Sequence, residues 1–260
     1  MSIFQRVKYH LSYFLNAVNQ HSLQAPFIYE FYTKVIRSEK LNGDFTEIAQ
    51  LRHTLLQDNH GIEVQEFGAR SKINSSINRT IKNIASGGIT TAKYSELLYR
   101  IIKHFHMRQI VELGTSLGVN TMYLAKYEAT KVTTFEGDPS LVKIAQANFD
   151  HLQAHNIMIV EGNIDKTLSS FLDGSIRPDM VYIDANHTYE ATLKYFNTII
   201  HNKHDETIVI IDDIKWSSGM QKAWKKIASH PEVTLSIDLN KMGIVFFKPD
   251  FTKQHYVLAF

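Results

Sequence analysis

The chain has 260 residues, with 44% apolar and 21% charged side chains, so it can bury the core of one large α/β domain or of one domain with an added layer. A formal net charge of +2 is too small to argue for nucleic acid or an anionic membrane surface. There is no cysteine, which excludes disulfides, thiolate metal sites and thiol nucleophiles and fits a reducing cytoplasm.

The first 20 residues lack an apolar core ending in a small-residue cleavage site, so they read as mature protein. No stretch is long and apolar enough to span a bilayer. Phe4, Val7, Leu11, Phe14, Leu15 and Val18 recur at helical spacing. Phe27, Ile28, Phe31 and Val35 repeat the pattern after Pro26, which suits a helix start. Phe45, Ile48, Leu51, Leu55 and Leu56 form a third stripe, ending near His60-Gly61. These stripes read as packing faces, and they also offer a surface for a homodimer. Residues 61 to 90 are polar and glycine-bearing and read as an irregular junction or cover. Tyr94, Leu97, Leu98, Ile101, Ile102 and Phe105 then mark a strongly amphipathic helix.

From Gln109 the texture changes. Ile110–Leu113, Val132–Phe135, Ile157–Val160, Met180–Ile183 and Ile208–Ile211 are short apolar runs separated by helical windows. That alternation predicts parallel strands covered on both faces. Val233–Ile237 and Gly243–Phe247 follow, and the short link between them forces an antiparallel pair, because a parallel crossover needs a dozen or more residues. The expected fold is therefore α/β: a Rossmann-like, doubly wound, seven-stranded sheet of five parallel strands plus a C-terminal antiparallel pair. A helical extension, residues 1–88, precedes the domain at 89–260.

In such a sheet ligands bind outside the carboxyl ends of the strands, so the chemistry should lie in what each strand delivers there. The first delivers Glu112-Leu113-Gly114-Thr115-Ser116-Leu117-Gly118. Gly114 and Gly118 with Ser116 between them fail the G-x-G-x-x-G pattern of a nicotinamide or flavin site. An acidic residue before the first glycine suits a ligand with a cationic end. The second strand ends in Glu136-Gly137-Asp138, placing Glu136 about twenty residues on, the spacing at which a carboxylate meets ribose hydroxyls. The third ends in Gly162-Asn163, an amide that can edge a purine. The fourth ends in Asp184-Ala185-Asn186-His187 and the fifth in Asp212-Asp213.

Taken with Ala92-Lys93-Tyr94 and Asp179–Asp184, these strand ends resemble the class I S-adenosylmethionine-dependent methyltransferases, and most the small O-methyltransferases typified by catechol O-methyltransferase. The likeness spans roughly the last two thirds of the chain. It implies that Glu112, Gly114, Thr115, Ser116 and Gly118 line the methionine portion of the cofactor, that Glu136 and Gly137 take the ribose, and that Gly162 and Asn163 lie by the adenine. It implies a magnesium ion on Asp184, Asp212 and Asp213, with Asp184 also at the cofactor, and a small hydroxylated acceptor. His187 falls where that family has its general-base lysine. Two departures stand out: Asp213 replaces an asparagine, and Ala185 replaces a larger residue near the adenine.

Independent chemistry agrees. Three carboxylate oxygens with waters and substrate suit octahedral magnesium, and an imidazole with an unperturbed pKa of about 6.5 suits a base near neutrality. A metal-free O- or N-methyltransferase and a non-catalytic cofactor-binding protein are the other readings. The residues also leave a simpler role open: Asp212 or Asp213 capping the next helix.

Overall fold

The computed structural model describes residues 13–38, 43–65, 76–173 and 176–260. The elements, in chain order, are α1 (Pro26–Phe31), continuing into a π-helical turn at Tyr32–Ile36, α2 (Thr46–Leu55), β1 (Gly61–Gln65), β2 (Ser76–Thr80), α3 (Ile81–Gly88) and α4 (Ala92–His104). Then come β3 (Gln109–Leu113), α5 (Val119–Ala125), β4 (Lys131–Glu136), α6 (Pro139–His151), β5 (Ile157–Glu161) and α7 (Ile164–Leu172). The chain ends with β6 (Met180–Ile183), α8 (Tyr189–Ile200), β7 (Ile208–Ile211), α9 (Ser218–Ala228), β8 (Leu235–Leu239), β9 (Met242–Phe246) and β10 (Gln254–Val257). Among the described residues no helix is long and apolar enough to cross a membrane.

Eight of these strands form the mixed, mostly parallel sheet expected of the fold class. The chain divides into two compact units, residues 42–176 and residues 1–41 with 177–260. In the first, β3, β4 and β5 lie side by side, all parallel, with Leu113 opposite Phe135 and Phe135 opposite Val160. In the second, β6 and β7 are parallel, β9 runs antiparallel to both β7 and β8, and β10 adds parallel to β8. The antiparallel pair is where the short link required it. Among the described residues the sheet has eight strands rather than seven, because Gln254-His255-Tyr256-Val257 pairs as a strand despite its polar sequence.

The strands form where they do because their side chains are buried on both faces: every residue of β6 and β7 is buried. Helix starts are set by capping. Asp138 accepts from the Ser140 and Leu141 amides at 2.7 and 3.0 Å with Pro139 at the first helical position, and Thr188 and Ser217 accept from Ala191 and Met220 at 3.2 and 3.1 Å.

The described part of residues 61 to 90 differs from expectation: β1 and β2 pair antiparallel, with Val64 and Ile77 in register, and Thr80 caps α3 by accepting from the Asn83 amide, while residues 66–75 lie outside the described residues. Val64, Ile81 and Ile84 join Ile48, Leu55, Met122, Tyr123 and Phe149 in one apolar cluster, so this hairpin and helix have core of their own to rest on. The stripe at Phe4, Val7 and Leu11 lies outside the described residues, while Phe14 and Leu15 beyond it are 71% and 76% exposed.

Candidate functional site

Within the unit of residues 42–176, the turn after β3 is built for a close approach to its surroundings. Gly114, Ser116 and Gly118 all have positive φ, at 101°, 50° and 78°. A Cβ at Gly118 would lie 2.5 Å from the Phe149 ring, so glycine is needed both for the backbone and for helix packing. The amides of Gly114 and Thr115 donate to the Phe135 carbonyl at 3.0 and 3.2 Å, which ties the turn to the end of β4. Glu136 completes the tie. One carboxylate oxygen accepts from the Ser116 amide at 2.8 Å and the other from the Asp138 amide at 3.0 Å. Burial pushes the Glu136 carboxyl above its ordinary range, against the pull of these amides. Gly162, with φ 128°, donates to the Glu136 carbonyl at 2.8 Å, and Asn163 caps α7 by accepting from Asp165 at 2.9 Å. Glu112, Gly114, Thr115, Ser116, Gly118, Glu136, Gly137, Gly162 and Asn163 thus stand at the ends of three adjacent parallel strands or in the loops that follow them.

Two contacts here go beyond the sequence reading. Asp138, 1% exposed, accepts through its second oxygen from the Gln65 amide at the end of β1, fastening the hairpin to the loop after β4. Glu112 is itself 1% exposed, and its oxygens accept from Asn120 at 2.9 Å and from the hydroxyls of Thr121 and Thr134; Thr134 is in turn 2.6 Å from Thr115. Burial raises the Glu112 carboxyl to about 7, with those three donors working the other way. Its donors come from its own unit, so Glu112 orders the turn from beneath.

The other candidate residues lie in the second unit. Asp184 follows β6, and His187 three residues later puts Nε2 3.5 Å from Asp184 Oδ1. Asn186 and His187 have φ of 66° and 37° and Asp213 has 50°, conformations that side chains other than glycine seldom adopt. Among the described non-glycine residues with positive φ, only His106 and Gln153 fall outside these loops and the β8–β9 turn. Asp212 is 1% exposed: Oδ1 accepts from the Asp213 amide at 2.8 Å, and Oδ2 from the Tyr182 hydroxyl at 2.8 Å. Neither aspartate caps α9, whose cap is Ser217. Trp216 is 56% exposed and is no core residue.

A residue absent from the sequence reading completes this cluster. Lys241, in the turn between β8 and β9, donates through its ammonium to Asp212 Oδ2 and lies 3.3 Å from Asp213 Oδ1. Burial alone would lower its pKa, but Asp212, Asp213 and Asp184 outweigh burial and raise it. His187 moves the other way. Burial holds it below its ordinary value, opposed by Asp213 and Asp212 and aided by Lys241, so the ring is neutral near neutral pH. No sequence signal marks a turn lysine as the partner of carboxylates about thirty residues earlier.

This arrangement does not fit a divalent ion. Both oxygens of Asp212 are engaged, Oδ1 by the Asp213 amide and Oδ2 by the Tyr182 hydroxyl and the Lys241 ammonium. Among the described residues no group of three His, Cys, Asp or Glu is arranged to hold a metal. The loops after β3, β4 and β5 do suit a nucleoside cofactor: they combine backbone turned through positive φ, glycine where a Cβ would collide, and a partly exposed carboxylate at the end of β4.

Residues 111–214 match a family model described as a methyltransferase domain. A search of curated proteins gave no match. Solved structures similar to the chain include a putative caffeoyl-CoA O-methyltransferase from Staphylococcus aureus, 20% identical over 64% of this chain and 88% of that one, with a TM-score of 0.57. The O-methyltransferase from Bacillus cereus in complex with SAH is 19% identical over 62% and 83%, at 0.54. The SAH-bound methyltransferase PaMTH1 of Podospora anserina is 13% identical over 81% and 99%, at 0.56. At these identities the structural likeness is one of fold, while the family model bears on the segment from β3 to the residue after Asp213. Residues 111–214 thus carry the match to a methyltransferase domain, and the α/β fold is shared with solved O-methyltransferase structures.

Proposed function

We propose that the protein transfers the methyl group of S-adenosylmethionine to a hydroxyl of a small acceptor, with His187 as the general base. The observation that carries this reading is the pairing of His187 with Asp184 at 3.5 Å in a half-buried setting whose desolvation holds the imidazole below its ordinary pKa. Bound cofactor supplies an electrophilic methyl group on a sulfonium. The chain's own residues do the rest. On this reading the turn at Gly114–Gly118 follows the methionyl part, Glu136 accepts from the ribose hydroxyls, and Gly162-Asn163 borders the adenine. With Nε2 turned to Asp184, His187 would take the acceptor's proton at Nδ1 as the acceptor oxygen bonds to the methyl carbon, and the electrons of the breaking C–S bond would remain on sulfur.

The imidazolium so formed lies within reach of Asp184, Asp212 and Asp213, whose charge a single lysine only partly cancels. Developing positive charge on the base is therefore stabilised where it appears. No step is routed through a metal ion. Isothermal titration with S-adenosylhomocysteine tests the cofactor half of the reading. Methyl transfer to a panel of small phenols and alcohols by wild type and His187→Ala tests the rest. Saturable binding and a His187-dependent rate are expected; absence of binding overturns the proposal.

A further inference from the structure

We propose that Lys241 is the resident cation of the Asp184–Asp212–Asp213 cluster, standing where a divalent ion would otherwise be needed. The inference rests on the functional reading above only for its catalytic consequence.

Three observations support it. The first is occupancy. Asp212 is almost wholly buried, with Oδ1 engaged by the Asp213 amide and Oδ2 by both the Tyr182 hydroxyl and the Lys241 ammonium, and Asp213 Oδ1 is 3.3 Å from the same ammonium. A magnesium ion takes oxygen ligands at about 2.1 Å in near-ideal octahedral geometry. An ammonium and a dication on one carboxylate oxygen repel each other, so the two exclude one another.

The second is delivery. Lys241 is held by its backbone: its amide donates to the Leu239 carbonyl at 2.9 Å, and its carbonyl accepts from the Ile214 amide at 3.0 Å, directly after Asp213. Asn240 beside it adopts φ 69°, and its amide donates to Asp238 at 2.7 Å. The turn that carries the ammonium and the loop that carries the carboxylates are stitched together through main chain. A solvated surface lysine is not fixed in this way.

The third is charge. Among the described residues, three carboxylates, one ammonium and a neutral imidazole share this corner of the unit. The groups facing Lys241 from the packed elements are Asp212, Asp213, Asp184 and His187, with Tyr182 beneath. Lys241 thus lowers a repulsion that would otherwise oppose folding of the β7–α9 loop. It also holds Asp212 and Asp213 in place beside the base. It is a positioning residue, not one that touches the reacting atoms.

The test titrates the full-length protein with manganese(II), followed by the electron paramagnetic resonance of the free ion. Wild type and Lys241→Arg should show no saturable site, while Lys241→Met should bind the ion at least about tenfold more tightly, since it leaves the carboxylates without their counter-ion. Methyl transfer by wild type should survive chelator. Circular dichroism and the urea midpoint serve as the control that each variant is folded, and the metal arm reads neither cofactor binding nor catalysis. Its result therefore stands apart from the fate of the methyltransferase reading. A wild-type site that saturates with manganese and is lost in Asp212→Asn would overturn the proposal. So would a folded Lys241→Met that gains no affinity for the ion.

Discussion

Glu112 offers the most direct quantitative test of the site's construction. A carboxyl raised from 4.5 to about 7 keeps its proton in the folded state over a range where the unfolded chain has lost it. Between those values the folded state binds more protons, so stability falls as pH rises through the window. The sign is opposite to that of a salt-bridged aspartate. With each pH unit of displacement equivalent to about 1.4 kcal/mol, the loss from near pH 5 to near pH 8 is about 2–3 kcal/mol. Glu112→Gln removes the titration yet retains an acceptor for Asn120, and the hydroxyls of Thr121 and Thr134 can turn to accept from the new amide. Urea unfolding of both proteins across that range should give curves that converge in acid and separate in base, the variant becoming the relatively more stable. Parallel curves would refute the assignment of a buried, proton-retaining carboxyl at this position. Glu136 is raised in both proteins, so the difference between them isolates Glu112.

Other expectations follow from the same geometry. Gly118→Ala places a Cβ 2.5 Å from the Phe149 ring at φ 78°, and should destabilise the protein by about 2–4 kcal/mol in denaturant titration. Glu136→Gln should weaken S-adenosylhomocysteine binding by about 10–100-fold in calorimetry, the worth of hydrogen bonds to a charged acceptor; a threefold change or less would remove Glu136 from the ribose. His187→Ala should slow methyl transfer by about 100-fold or more while leaving S-adenosylhomocysteine affinity within a few-fold. Because burial holds His187 below its ordinary pKa, the acid limb of the wild-type rate profile should fall below pH 6.5, and a limb above that value would contradict the neutral-base reading.

The sequence revealed the core strands most clearly. Met180–Ile183 and Ile208–Ile211 coincide with β6 and β7, because strands buried on both faces are written as unbroken apolar runs between turn residues. Tyr189–Ile200 coincides with α8 for a related reason: Thr188 caps it and its apolar face recurs at helical spacing. What escaped notice is polar. Gly61–Gln65 bears one buried apolar side chain, Val64, and Gln254–Val257 is half-exposed, so neither carries the pattern of a core strand. Their pairing is decided by partners distant in sequence. The candidate site divided along the same line. Glu112, the glycines and Glu136 were visible because strand-end turns have fixed spacing. That Glu112 is saturated by two threonines and an asparagine, and that Lys241 bends back onto Asp212, depends on side-chain direction, which spacing does not encode.

The tail of the chain has a consequence for synthesis. Val18 bridges Leu258, the Tyr13 hydroxyl donates to the Leu258 carbonyl at 2.7 Å, and the Phe260 amide donates back to it at 3.2 Å. These partners are separated by up to 247 positions. At a ribosomal rate of about 5–20 residues per second, the segment around Tyr13 waits about 10–50 s for its partner to emerge. Residues 42–176, by contrast, are contiguous, and the pairings β1–β2, β3–β4 and β4–β5 all fall within that stretch. One unit can close while translation continues. In the other, Phe31 packs edge-on against Phe246 and the Tyr32 hydroxyl donates to the Ala259 carbonyl 227 positions on, so that packing waits for the end of synthesis.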